Sequence, residues 1–177
     1  MRPLPYPTMK YLKQCIVFAG AEDMLSNWHP ANFVHIDTVY KSAEQFVLYQ
    51  KALFFGDAAV ADRILRTKGV AEMRALGRRI KRCDEVAWRR ACESILLSGL
   101  KAKFLQNPAM RTTLLATGDA ELVCADQTDL VCGAGLPEDD PRITDKSAWR
   151  GLNLAGLALM RVRAELREAM QPRTLTT

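Results

Sequence analysis

Only two histidines occur in the chain, His29 and His35, six positions apart, so a three-histidine metal site is excluded by count and a histidine-based nucleophile triad has few candidates. There is no Cys-x-x-Cys. The five cysteines (Cys15, Cys83, Cys92, Cys124 and Cys132) are odd in number and scattered, which argues against a disulfide framework and against a zinc ribbon. They read as free thiols of a reducing compartment. Long apolar runs are missing too: the longest uncharged apolar stretch near the C-terminus, residues 152–160, falls far short of the roughly 20 residues of a membrane span. Met1-Arg-Pro-Leu-Pro-Tyr-Pro7 has no apolar signal core. No internal repeat, low-complexity tract or interdomain linker is visible. A cytoplasmic location without membrane association is the expectation.

What is present fits one domain with a substantial core: 177 residues, 49% hydrophobic and 25% charged. The net charge is +5 and the isoelectric point near 9.1, a mild preference for a phosphate-bearing or nucleic-acid partner. Four of the cations fall within Gly77-Arg-Arg-Ile-Lys-Arg82, readable either as a solvated turn or as a phosphate contact.

Residues 40–56 organise the rest. Ser42 with Gln45 three places on forms a capping box, and Gly56 stands where a helix end favours positive φ. At about 100° per residue, Phe46, Tyr49 and Leu53 share one side and Ala43, Val47 and Phe54 another, so the helix is predicted to be buried over most of its circumference. On the remaining strip Glu44 and Lys51 lie two turns apart, about 10 Å along the axis. That is too far for a direct ion pair but suits a small polar cleft. An acid and an amine set among apolar neighbours either pair with other buried polar groups or face a cleft, where the same environment shifts their pKa values.

Taken in order, residues 1–13 carry three prolines and read as an irregular lead-in. Residues 14–18 are a strand, residues 20–32 a long loop with Trp28 as its anchor, and residues 33–39 an alternating strand expected to pair with the first. Asp57 caps a helix closed by Gly69, and a short helix follows to Gly77. Asp84 caps a long helix to about Gln106, with Trp88, Ala91, Cys92, Ile95, Leu96, Gly99 and Ala102 inward; on pattern alone Trp88 is core packing rather than a stacking platform. Pro108 opens a helix ending before Gly118. Residues 121–125 form a strand and residues 126–140 a second long loop, in which Asp129 on its own is a turn former. Residues 149–170 are a closing helix, and residues 171–177 a frayed tail.

Several segments resemble the NADAR (YbiA-like) family in collinear order over residues 15–167. They include Ser26-Asn-Trp-His-Pro30, Ser42-Ala-Glu-Gln45 with Gln50-Lys-Ala52, Leu76-Gly-Arg78, Asp84-Glu85 leading to Trp88, Ala102-Lys-Phe104 and Leu114-Leu-Ala-Thr-Gly118. Further on come Asp129 with Gly133-Ala-Gly-Leu136, Asp140-Pro141 and Trp149-Arg-Gly-Leu-Asn153. The resemblance implies a predominantly α fold with a small β component (α+β), a single YbiA-like domain over residues 14–170, and N-glycosidase activity without a cofactor or metal. Members of this family cleave the N-glycosidic bond of early phosphorylated riboflavin intermediates or remove ADP-ribose from guanine in nucleic acid.

By the same resemblance Glu44, Lys51, Trp88 and Asp129 are the expected catalytic set, and Ser26, Asn27, Trp28, Arg78 and Asn153 the expected substrate contacts. Three positions depart from the family's usual pattern. Cys124-Ala-Asp126 stands for Glu-Ala-Ser, Cys132-Gly133 for Trp-Gly, and Cys83 for Phe, so a carboxylate and an aromatic wall are missing and the substrate preference is left open. ADP-ribosylated guanine in DNA or RNA is the first expected partner and a small phosphorylated ribosylamine the second. A module that binds ADP-ribose or a nucleotide without cleaving it is the reading from a different class.

Overall fold

A computed structural model describes residues 9–12 and 15–171; most of the expected lead-in and nearly all of the tail lie outside them. Strand β1 (Lys10–Leu12) runs antiparallel to β2 (Cys15–Phe18), and β2 pairs in parallel with β5 (Glu121–Cys124). The end of the expected lead-in is therefore a strand. Between β2 and β5 come the hairpin β3 (Phe33–His35) and β4 (Thr38–Tyr40), then helices α1 (Ala43–Phe54), α2 (Ala58–Arg66), α3 (Val70–Arg79), α4 (Glu85–Gln106) and α5 (Pro108–Ala116). Helix α6 (Leu154–Met170) closes the chain. The architecture is α+β, and among the described residues no helix is long and apolar enough to cross a membrane.

Three local expectations are corrected. Residues 33–39 do not join the first strand: Ile36 and Asp37 both adopt positive φ (44° and 58°), which folds the segment into a two-residue hairpin of its own. The closing helix begins at Leu154, after a 3₁₀ turn at Lys146–Ala148. Helix α1 is buried at its start, yet its last turn surfaces, leaving Leu53 and Phe54 44% and 49% exposed.

The core sits where α1, α4 and α6 meet the sheet, with Phe18, Phe46, Leu96, Leu100, Leu122 and Leu159 buried together. Each such side chain contributes about 1.5–3 kcal/mol on leaving water. Two glycines set the spacing of these elements. A Cβ at Gly99 of α4 would lie 2.4 Å from the Phe46 ring of α1, and one at Gly156 of α6 would lie 2.1 Å from the Leu122 carbonyl oxygen of β5. Small size there lets both helices close onto their neighbours, and the close approach at Gly99 draws α1 and α4 together.

Candidate active site

The cap of α1 fixes its first turn. The Ser42 hydroxyl accepts the Gln45 N–H at 3.1 Å, while the Gln45 side-chain carbonyl accepts the Lys41 N–H at 2.8 Å. The Gln45 amide nitrogen donates onward to the Ile64, Leu65 and Thr67 carbonyls, tying α1 to the end of α2. Glu44, next in that turn, is 7% exposed, and its N–H donates to the Asn27 carbonyl at 2.8 Å. The loop of residues 20–32 is thereby fastened to α1. From the other side Lys103 of α4, fully buried, donates from Nζ to the Met24 and Ser26 carbonyls at 2.9 and 2.8 Å. Burial pushes its ammonium down to about 7, with Asp23 opposing.

Residues 126–136 supply the opposite wall. Asp129 Oδ1 accepts the N–H groups of Val131 and Cys132, both at 2.9 Å. Asp126 Oδ1 accepts the Thr128 N–H, the Thr128 hydroxyl and the Asp129 N–H. These turns are docked by the N–H groups of residues 152–155, which donate to the carbonyls of Leu130, Gly133, Val131 and Cys132 respectively.

A cleft of about 510 Å³ lies between these walls. Glu44 and Lys51 reach it from α1, Arg74 and Arg78 from α3, Trp88 and Arg89 from α4, and Asp126, Asp129 and Cys132 from the loop. Behind Glu44 a recess of about 30 Å³ is lined further by Ser26, Asn27 and Cys124. Lys51 Nζ stands 5.2 Å from the Trp88 ring centroid, a cation–π distance. Trp88 is 5% exposed and packs against Phe54 and Phe55, so it is at once core and wall of the cleft. The Arg74 guanidinium lies 4.5 Å from the Trp28 ring centroid.

Electrostatically the cleft keeps one proton in place. Burial is the main reason that the Glu44 carboxyl is pushed up to about 8; the charges of Asp129 and Asp126 add to it, and Arg74 partly offsets them. Asp126 moves the other way: burial raises it, but the bonds from Thr128 and Asp129 and the charge of Arg74 outweigh burial and hold it low. Burial first, then the same acids, pushes the Cys124 thiol well up. Cys132 is raised first by its contact with the Cys92 thiol and then by burial. At neutral pH both thiols are neutral, so neither is a ready nucleophile. Among the described residues no group of three or more His, Cys, Asp or Glu side chains is arranged to hold a metal ion.

Of the residues singled out in the sequence, Glu44, Lys51, Trp88 and Asp129 meet on one cleft, and Trp28 and Arg78 line it as well. Ser26 and Asn27 line the recess. The Ser26 hydroxyl accepts the Trp28 N–H at 3.2 Å, and Asn27 Oδ1 is buried with no bond partner. Asn153 is elsewhere: it is fully buried at φ 52°, accepts the Cys124 N–H and donates to the Leu122 carbonyl, closing the free edge of β5. Asn153 is not among the residues that line the cleft or the recess. Sequence reasoning missed Arg74 and Asp126. The signals were there: Arg74 stands four residues before Arg78 on one helical face, and Asp126 lies two residues beyond Cys124, whose usual carboxylate is absent.

Residues 17–167 match the model of the NADAR domain. N-glycosidase R617 of Acanthamoeba polyphaga mimivirus is 33% identical over 147 residues, 80% of this chain and 86% of that one. Riboflavin biosynthesis protein VVA0006 of Vibrio vulnificus is 29% identical over 81% of this chain and 35% of its own length. The NMR structure of the E. coli protein YbiA superposes with a TM-score of 0.70 at 20% identity, covering 99% of each chain, which establishes the shared fold.

Proposed function

Because this chain belongs to the NADAR domain family, we propose that its cleft hydrolyses an N-glycosidic bond and that the substrate is ADP-ribose joined to guanine in nucleic acid. The observation that carries the reading is Glu44, a carboxyl held protonated near neutral pH beside two further carboxylates in one cleft. Breaking a C1′–N bond leaves positive charge on the sugar and the electron pair on the base, so the reaction wants an acid on one side and a fixed negative charge on the other.

Glu44 fills the first role, giving its proton to the departing base. Asp129, oriented by two backbone N–H bonds through Oδ1, stabilises the cationic sugar and takes the proton of the water whose oxygen joins C1′. A carboxyl pushed up by burial beside a second acid is a familiar pattern in glycosyl transfer. Trp88 supplies a flat apolar wall for the base, and Lys51, positioned over it, supplies a cation to a phosphate or to a neighbouring carboxylate. Arg74 and Arg78 give the cleft mouth bidentate donors suited to phosphate.

A second reading is favoured by the likeness to VVA0006: hydrolysis of an early phosphorylated riboflavin intermediate, which would use the same acid and the same cations. A non-cleaving reader of ADP-ribose or nucleotides is the third, motivated by Cys124 and Cys132 at the recess. The deciding experiment offers the purified protein both substrates and measures products. Free ADP-ribose from guanine-modified oligonucleotide supports the first reading, and ribose 5-phosphate from the pyrimidine intermediate the second. Tight binding without product, unchanged in Glu44→Gln, leaves only the third.

A further inference from the structure

The protein's surplus charge is confined to one part of the fold. Residues 57–90, which comprise α2, α3 and the first turns of α4, hold ten Lys and Arg against five Asp and Glu, a surplus equal to the whole chain's +5; the other residues carry fifteen of each sign. How these cations are used differs as sharply. Elsewhere Lys10, Lys101, Arg142, Lys146, Arg161 and Arg167 have acidic partners, and Lys103, Arg111, Arg150 and Arg163 donate to backbone carbonyls.

Within residues 57–90 only Arg66 and Arg89 have acidic partners, Asp62 at 2.9 Å and Glu85 at 3.8 Å. Asp57 and Asp84 are occupied as helix caps. The side chains of the other eight cations, all exposed, form no hydrogen bond or ion pair with a described residue, although Arg74 lies over the Trp28 ring. Unpaired cations repel one another, and ten of the twelve described cations outside this stretch have an acidic or carbonyl partner, Lys41 and Lys51 being the exceptions, whereas these eight stand together without one.

Their layout has a direction. Arg63 and Lys68 line an open cleft of about 430 Å³ between the end of α2 and the start of α3. From there α3 runs about 13 Å to Arg78, and its Arg74 and Arg78 line the mouth of the catalytic cleft. From this arrangement we infer that the α2–α3 face is a docking surface for the sugar–phosphate backbone of a nucleic-acid strand, engaged without regard to sequence or modification, with the remote cleft at Arg63 and Lys68 as its outer anchor. Its service in delivering a modified base to Glu44 rests on the glycosidase reading above; the binding itself does not.

The test uses fluorescence anisotropy with a short unmodified single-stranded oligonucleotide across a salt series, on the wild type, on Arg63→Glu/Lys68→Glu, and on Lys101→Glu/Arg161→Glu, which lowers net charge equally on another part of the surface. The expected result is salt-sensitive binding by the wild type and a loss of about tenfold or more for the first variant. Its slope of log affinity on log salt should be shallower by about 1.4, from about 0.7 per phosphate contact. The second variant should bind as the wild type does, and circular dichroism should show both variants folded. Absence of binding by the wild type, equal losses in the two variants, or binding to anionic lipid vesicles in place of the oligonucleotide overturns the inference. Turnover of a small N-glycoside is read in parallel: its absence with oligonucleotide binding intact overturns the glycosidase reading alone.

Discussion

The backbone N–H of Glu44 donates to the Asn27 carbonyl at 2.8 Å, joining the first turn of the central helix to the loop that carries Trp28. Through that one bond the acid, the recess behind it and the Arg74–Trp28 stack share a single rigid frame. Lys103 holds the same loop from α4. The consequences below follow from this frame and from the charges set around Glu44.

Glu44→Gln should separate activity from stability. Loss of the proton donor lowers kcat by about 10²–10⁴-fold. Stability moves oppositely. Burial pushes the folded carboxyl up to about 8 from its ordinary 4.5, so wild-type stability falls as pH rises through that window, while glutamine titrates nowhere. At about 1.4 kcal/mol per unit, the variant gains on the order of a few kcal/mol over the wild type above pH 8. Urea unfolding at pH about 5 and about 9 reads this; a variant-minus-wild-type difference independent of pH would falsify the raised carboxyl.

Arg74→Ala should move the alkaline limb of the rate profile. A general acid works while protonated, so kcat declines as pH rises past about 8. Arg74 holds the Glu44 carboxyl lower than burial and the two aspartates alone would. Its removal shifts the limb to higher pH and raises KM for a phosphorylated substrate by about tenfold, some 1.4 kcal/mol. A limb that stays in place assigns the alkaline decline to a different group.

Lys51 stands where it can act as a cation or attack an opened sugar aldehyde as an amine. Borohydride added during turnover distinguishes the two. We expect no covalent adduct, because Nζ is engaged over the Trp88 ring at a cation–π distance. Substrate-dependent trapping by the wild type that vanishes in Lys51→Ala would establish the imine route instead.

Gly156→Ala should destabilise the whole domain. The added methyl meets a backbone oxygen of β5 at 2.1 Å, which cannot rotate away as a side chain can. Overpacking of this kind costs about 1–3 kcal/mol, visible as a lower urea midpoint with an unchanged slope. Because β5 leads into the loop of Asp126 and Asp129, activity at moderate temperature should fall as well. An alanine variant as stable as the wild type would mean that α6 does not press on β5 this closely.

Local chemistry made much of the molecule readable in advance. The Ser42–Gln45 pair, Asp57, Asp84 and Pro108 each mark a helix start within one residue of the observed one, because a cap satisfies N–H groups that the helix itself cannot. The strip bearing Glu44 and Lys51 was legible for the same reason: position on a helix is set by spacing. Residues 33–39 were misread because their alternation says how the segment is faced but not which strand it meets, and the turn at Ile36 and Asp37 lacks the usual Asn-Gly signature. Asn153 was placed among the substrate contacts by its motif, and in the fold its amide bonds the backbone of β5.

The sequence by itself determined where the helices begin, which faces are apolar and that an acid and an amine share one helical strip, since those properties depend on residues a few positions apart. Only the tertiary structure decided that Asp129, Asp126, Trp88 and Arg74 converge on that strip, and hence that Glu44 keeps its proton. Burial and the charge of distant neighbours set a carboxyl's pKa, and neither exists until segments far apart in the chain have packed together.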